Sequence, residues 1–379
     1  MRFAFTEEQL ELRRHARSFL ADHCTSENIR QVMQSREGYD LEVWHRITGE
    51  LGWQAILVPE ALGGIGLGYV DLVALLEETG AALLCSPLFS TVALGVNALL
   101  VAGSEAQRAA YLPRIASGEL TATLAYTEAN GRWDARAIEC VARRDGADFV
   151  LNGAKTFVLD GYTAGLLVVA ARLPGTHGEE GICLFVVPAE SAGVVRRPLP
   201  TMDQTRKQAE IRFENVRVPA TALMGEESAA WPVLSKLLDL AAIALAAEQV
   251  GGAQRCLDMS VAYAKERTQF GRPIGSFQAI KHKCADMLVL VETARSALYY
   301  AAWAASQNDP ELPTLASLAK AYCSDAYFQC AAEAIQIHGG VGFTWEYDLH
   351  LYFKRAKSTE AFLGDPPYHR ELVAKRLGW

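Results

Sequence analysis

Two short segments carry the chemistry that residue types and spacing can reveal in this chain. The first runs Arg267-Thr268-Gln269-Phe270-Gly271-Arg272-Pro273-Ile274, followed by Gly275-Ser276-Phe277-Gln278 at the head of a long helical run. A guanidinium holds a pyrophosphate through two charge-assisted hydrogen bonds, and a neighbouring phenylalanine can lie against a flat ring. Gly271 lets the chain turn where a Cβ would obstruct it. The second segment, Gln336-Ile337-His338-Gly339-Gly340-Val341-Gly342-Phe343, offers a glutamine and two glycines whose backbone can approach phosphate oxygens closely. Singly, each pattern also describes an ordinary helix end, with a solvated arginine or a terminating Gly-Gly pair. Together they offer the groups that a phosphate clamp would need.

Two other candidates fail their context. Gly63-Gly64-Ile65-Gly66-Leu67-Gly68 looks superficially like a nucleotide loop, but no β-α-β unit surrounds it, so it reads as a connection between helices. His338 has no second ligand at helical spacing, so no metal site is expected.

The elements that must position the clamp follow from a change of period along the chain. From Thr6 to about Glu119, apolar residues such as Leu72, Leu75 and Leu76 recur at helical spacing, and Thr6 with Gln9 forms a capping box. Between about Leu120 and Leu223 the period falls to two. Runs such as Thr121 to Tyr126, Phe149 to Gly153, Gly165 to Ala170 and Ile182 to Val187 read as strands between turn residues. Helices then return over Trp231 to about Glu266, Gln278 to Gln307 and Leu315 to Ile337, with Ala-rich stretches that allow close helix approach. The expected fold class is α+β, with an N-terminal helical domain (1–119), a small central antiparallel β domain (120–223) and a C-terminal four-helix bundle (224–379).

Composition narrows the class. A chain of 379 residues, half of them apolar and 21% charged, is globular and long enough for two or three domains. A net charge of −8 gives no support for nucleic-acid binding. The apolar stretch from Leu237 to Val250 contains Asp239 and Glu248 and is too short to span a bilayer, so no membrane role is expected. Eight scattered cysteines without a Cys-x-x-Cys pair fit a reduced, cytoplasmic setting.

The Arg267 and Gln336 segments closely resemble the two signature segments of the acyl-CoA dehydrogenase family. Val58-Pro59-Glu60-Ala61-Leu62-Gly63-Gly64 and Thr201-Met202-Asp203-Gln204-Thr205-Arg206 also sit where that family has similar segments, so the resemblance covers nearly the whole chain. It implies an oxidoreductase of lipid metabolism with FAD wedged between the β domain and the C-terminal bundle, in a dimer or tetramer. It further implies an acyl-CoA substrate and an electron-acceptor flavoprotein. On this resemblance Arg267, Phe270, Gln278, Gln336, Gly339 and Gly340 are expected on the ADP side of the flavin, reached across the dimer interface. Thr127 and Phe157 are candidates for the ring side, although a strand threonine and a core phenylalanine are ordinary features.

The same resemblance exposes a gap. Dehydrogenation of a thioester needs a carboxylate to take the α-proton while the flavin takes the β-hydride. The family places its glutamate at one of two positions, and these fall on Leu363 and Ala241; the next residue, where several relatives carry an arginine, is Ala242. No catalytic residue is therefore assigned. Glu360, Asp365 and Glu248 lie near enough to be weighed as substitutes. On the ring side, Trp133 stands where a serine often binds, and Leu159 replaces the usual hydroxyl.

The preferred expectation is a base-less subunit of a hetero-oligomer that completes a partner's FAD site, as in paired family members of sterol side-chain degradation. The alternatives are a self-sufficient homo-oligomeric dehydrogenase with a relocated base, a flavin-dependent monooxygenase on the same fold, and an interaction protein that binds no flavin.

Overall fold

In the computed structural model, residues 5–379 are described. The helices before the sheet are α1 (Glu7–His23), α2 (Ser26–Gln34), α3 (Leu41–Arg46), α4 (Tyr69–Ala81), α5 (Asn97–Ala102) and α6 (Glu105–Ala116). The strands are β1 (Ala122–Ala125), β2 (Val141–Asp145), β3 (Asp148–Leu159), β4 (Leu166–Arg172), β5 (Ile182–Pro188), β6 (Val194–Pro198), β7 (Gln208–Pro219) and β8 (Leu223–Met224). After α7 (Trp231–Glu266) come a hairpin of β9 (Thr268–Gln269) and β10 (Arg272–Pro273), then α8 (Gln278–Gln307), α9 (Leu312–His338), α10 (Leu349–Ala361) and α11 (Pro366–Arg376). The fold is the expected α+β arrangement of helices, sheet and helices.

By packing, the chain forms two compact units. One comprises Met1–Gln31, Tyr69–Leu84 and Ala242–Trp379; the other comprises Val32–Gly68 and Cys85–Ala241.

In the first unit, α1 starts as its sequence dictates, with the Thr6 side chain accepting from the Gln9 amide and Gln9 returning the bond. α4 carries two adjacent buried carboxylates. Glu77 accepts from Arg295 at 2.8 Å and from the Tyr299 hydroxyl at 2.7 Å, while Glu78 accepts from Arg13 and Arg17. Burial of such charges is tolerated only because each is paired. Glycines set how closely α4 meets α7: a Cβ on Gly251 would lie 1.8 Å from the Glu77 carbonyl oxygen, and one on Gly80 would lie 2.2 Å from that of Glu248.

In the second unit the sheet order is β6-β7-β3-β2-β4-β5-β8, with β1 beside β4. Pairing is antiparallel except where β4 meets β1 and β2. β4 and β5 are buried along almost their whole length, which is why they read as unbroken apolar runs rather than alternating ones. The ladder of β3 with β7 slips between Lys155 and Val158, and that irregularity shapes one of the candidate sites.

Candidate functional site

In the first unit the Arg267 and Gln336 segments meet at one groove of about 600 Å³. The last turn of α7 delivers Arg267, whose amide bonds the Tyr263 carbonyl at 2.8 Å and whose carbonyl accepts from Ile274 at 2.8 Å, closing the hairpin. Phe270 and Gly271 form its two-residue tip with φ of +53° and +76°. Positive φ at both tip residues suits the tight hairpin turn that matches strand twist; the second position has a glycine and the first does not. Phe270 accepts this strained backbone while 92% exposed. An aromatic held in that way at a tip is a candidate for ligand contact. Phe277 backs the tip, edge-on to Phe270 at 6.1 Å and with the Arg272 guanidinium 4.2 Å from its ring centre.

The other wall is the end of α9. Gly339 takes φ +63° and ψ −138°, and its amide donates to the Gln336 carbonyl. A Cβ built on Gly339 or Gly340 would meet nothing, so the groove is faced there by bare backbone. The His338 Nδ1 donates to the Ala334 carbonyl at 2.8 Å, and its ring stacks on Tyr263 at 4.1 Å. Burial lowers its pKa, so the ring is a neutral packing element. Among the described residues no group of three His, Cys, Asp or Glu side chains could hold a metal ion.

The Arg267 guanidinium is exposed, and among the described residues nothing pairs with it. An unpaired cation, an exposed aromatic and an open glycine backbone in one groove are groups that could hold a phosphate and cover a flat ring. Arg267, Phe270, Gly339 and Gly340 thus come together. Gln278 and Gln336 are exposed beside lining residues Phe277 and Ile337, but do not themselves line the groove. Tyr263, Ile274 and Phe277 do line it, although sequence reading gave them no role. Ile274 and Phe277 lie within the Arg267 segment, and Tyr263 stands one helical turn before Arg267.

In the second unit, Thr127 and Phe157 are brought together, since the Thr156 amide donates to the Thr127 carbonyl at 2.9 Å. Beneath them Lys155, with none of its surface exposed, donates to Glu128 at 2.6 Å and to the Tyr126 carbonyl at 3.2 Å. Glu128 also accepts from the amides of Glu139 and Cys140, each at 3.0 Å. With the corner pinned, the slip in β3 turns Phe157 out at φ +54°, and its side chain is 48% exposed. The Trp133 carbonyl accepts from the Tyr126 hydroxyl at 2.6 Å, and Leu159 is buried with its carbonyl on the Thr123 hydroxyl. Phe157 is therefore presented like a platform rather than packed as core.

The positions weighed for a proton acceptor are occupied or capped. Ala241, Ala242 and Leu363 are all buried. Glu360 pairs with Lys357 at 3.0 Å, and Asp365 caps α11 by accepting from the Tyr368 amide at 2.9 Å. Glu248 is buried on α7 where that helix meets α4.

Comparison with known proteins gives a consistent picture. Residues 6–119 match a family model described as acyl-CoA dehydrogenase, N-terminal domain; residues 123–216 match the middle domain and residues 231–378 the C-terminal domain of the same family. The chain is 34% identical to acyl-CoA dehydrogenase IpdE2 of Mycolicibacterium smegmatis, covering 95% of this chain and 96% of that protein. Among solved structures it is similar to butyryl-CoA dehydrogenase of Megasphaera elsdenii, with a TM-score of 0.92, 28% identity and full coverage of both chains. It is also similar to a chain of the ChsE4-ChsE5 complex of Mycobacterium tuberculosis, with a TM-score of 0.89, 28% identity and coverage of 100% and 99%. Among the described residues no helix is long and apolar enough to cross a membrane.

Proposed function

The chain belongs to the acyl-CoA dehydrogenase family, and from that premise we propose that it serves FAD-dependent α,β-dehydrogenation of an acyl-CoA thioester as the base-less subunit of a hetero-oligomer. It is an oxidoreductase of this type by its relatives. The observation that carries the proposal is a contrast. The groove around Arg267 has the unpaired cation and open backbone that a dinucleotide needs, while Ala241 and Leu363 are buried aliphatic positions that cannot accept a proton.

FAD, when bound, supplies the acceptor for the β-hydride. Arg267 would hold its pyrophosphate, Phe270 its adenine side, and Gly339 and Gly340 would let the phosphates approach the main chain, with Gln278 and Gln336 at the margin. Thr127 and Phe157 would meet the ring in whichever chain seats it. The α-proton would leave to a carboxylate of the related partner, since Glu360 is tied to Lys357 and Asp365 to a helix cap. A general base contributes roughly a hundred- to ten-thousandfold in rate, so a chain without one depends on its partner for turnover. An electron-acceptor flavoprotein is the redox partner that this reading calls for. In support, similar structures include the ChsE4-ChsE5 complex.

The test is to purify the chain alone and together with a related acyl-CoA dehydrogenase subunit that carries the glutamate, and to measure flavin absorbance and ferrocenium reduction with several acyl-CoA esters. Flavin and activity arising only in the mixture supports the proposal. Ordinary turnover by the lone chain overturns it in favour of a self-sufficient dehydrogenase with a relocated base.

A further inference from the structure

The connection from α10 to α11 passes through two successive residues in the left-handed region, Leu363 at φ +63° and Gly364 at +102°. Glycine takes such angles freely, whereas leucine does so at a cost on the order of 1 kcal/mol. Two side chains hold the turn in place. The Lys320 ammonium, on α9 and with none of its surface exposed, donates to the Gly364 carbonyl at 2.9 Å, the Glu360 carbonyl at 3.1 Å and the Ser324 hydroxyl at 2.9 Å. From α11, His369 donates through Nε2 to the Leu363 carbonyl at 2.9 Å. Its Nδ1 faces the Ser317 hydroxyl at 3.2 Å, and that oxygen accepts from Arg376 at 2.8 Å, so the ring's tautomer and orientation are fixed.

Both prongs work over the ordinary pH range. Burial, reinforced by the Lys320 charge, pushes the His369 pKa down to about 3, so the ring stays neutral. Burial also lowers that of Lys320 to about 7, against the weaker pull of Cys323, Glu360, Asp365 and Asp325. A neutral amine keeps two N–H groups for the two carbonyls, while the Ser324 hydroxyl stays on the Lys320 carbonyl at 2.7 Å. The side chain at 363 is thus fixed by its backbone, and it is buried.

We propose that Lys320 and His369 are positioning residues that clamp the Leu363–Gly364 turn and so set how residue 363 faces a bound acyl-CoA, where Leu363 forms a fixed apolar wall. The clamp is a property of this chain alone. Its relation to acyl-CoA rests on the reading of the chain as an acyl-CoA dehydrogenase-type subunit.

The experiment uses the full chain with methyl-labelled leucine, the Leu363 signals being identified by their loss in Leu363→Met. Wild type should give one sharp pair of Leu363 methyl signals, displaced by octanoyl-CoA. Lys320→Met and His369→Phe should at least double their linewidth or split them, while leucine methyls on α8 stay unchanged; His369→Gln, which restores a donor, should recover the wild-type signals. Leu363 signals indifferent to both variants would overturn the clamp. Leucine signals that change throughout the chain would reduce Lys320 and His369 to general stabilisers, overturning it too. A clamp that responds as expected beside Leu363 methyls blind to octanoyl-CoA would overturn the link to substrate. The linewidth outcomes depend on neither a partner subunit nor bound flavin, so the clamp and the proposed function can fail separately; only the octanoyl-CoA response rests on that function.

Discussion

Tyr263 and His338 lie face to face, their ring centres 4.1 Å apart and their planes inclined by 22°. That stack joins the last turns of α7 and α9, the two helices that deliver Arg267 on one side and Gly339 on the other. The histidine cannot drift, because its Nδ1 is held by the Ala334 carbonyl. The groove is therefore set by helix ends tied to one another, with the hairpin tip left to project.

Arg267 is the groove residue whose loss should be felt most by a dinucleotide. Charge-assisted hydrogen bonds contribute about 1.5–3 kcal/mol, so Arg267→Ala should weaken flavin retention roughly ten- to a hundredfold. Arg267→Lys should recover only part of this, since an ammonium lacks the planar fork that meets two phosphate oxygens at once. Flavin per chain after gel filtration of the active mixture measures both. Unchanged content in Arg267→Ala would show that the guanidinium does not touch the cofactor.

Phe270 should reveal a conflict between stability and function. Its φ of +53° suits glycine, and its ring is almost wholly exposed, so little packing is lost with it. Phe270→Gly should leave the melting temperature unchanged or raise it, by up to about 1 kcal/mol in stability, once the turn strain is relieved. Flavin retention should fall in the same variant. A variant that melts earlier and binds flavin normally would contradict this account of the tip.

How much of this was legible in the sequence depends on the kind of signal. Helices α7, α8 and α9 were readable to within a few residues because long apolar stripes with few breakers leave little choice, and the Thr6–Gln9 box marked the start of α1. β4 and β5 were visible as apolar runs, yet nothing in Thr156-Phe157-Val158 announced the slip that turns Phe157 outward. Register irregularities arise from pairing with a strand some fifty residues away in sequence, here β7, and carry no local mark. The Arg267 and Gly339 segments stood out because glycine and arginine at fixed offsets have few roles. Lys155 and Lys320 did not, since a lysine in a strand or helix is usually solvated, and only tertiary packing shows that both are wholly buried.

The Lys155–Glu128 pair gives a stability prediction for the second unit. Removing one partner leaves a buried charge, so Lys155→Met or Glu128→Leu should each destabilise by about 3–5 kcal/mol. The double variant Lys155→Met with Glu128→Leu should cost less than the sum of the two single changes. The Glu139 and Cys140 amides would still lose their acceptor, so it should not reach wild type. Thermal melts of the four proteins at one concentration complete the cycle; strict additivity would mean that the two side chains do not act as a unit.

His369 and Lys320 give stability a pH dependence of one sign in two windows. The pKa of His369 drops from 6.5 to about 3 on folding, so between those values the unfolded chain binds the extra proton. Its contribution is complete above pH 6.5 and is lost as pH falls toward 3. Lys320, lowered from 10.5 to about 7, behaves likewise: its contribution is lost as pH falls from 10.5 to 7. The margin of wild type over His369→Phe should therefore shrink between pH 6.5 and 4, and that over Lys320→Met between pH 10 and 7. Each slope should be at most about 1.4 kcal/mol per pH unit. Denaturant titrations across these ranges measure it, and margins that stay flat would mean that neither base is buried as described.

Leu363→Glu tests whether the missing carboxylate is the only thing that separates this chain from a complete enzyme. Position 363 is buried on a clamped backbone, so the new side chain should cost about 2–4 kcal/mol in stability through lost apolar burial and partial desolvation of the acid. Burial should also raise its pKa. If catalysis needed nothing else, the lone variant would gain the roughly hundred- to ten-thousandfold that a general base contributes. The family resemblance argues otherwise, because Trp133 stands where a serine often binds and the buried Leu159 replaces the usual hydroxyl. The expected result is no acyl-CoA-dependent ferrocenium reduction by Leu363→Glu alone. Strong activity in the lone variant would show that the flavin is fully seated in this chain and that the partner is dispensable.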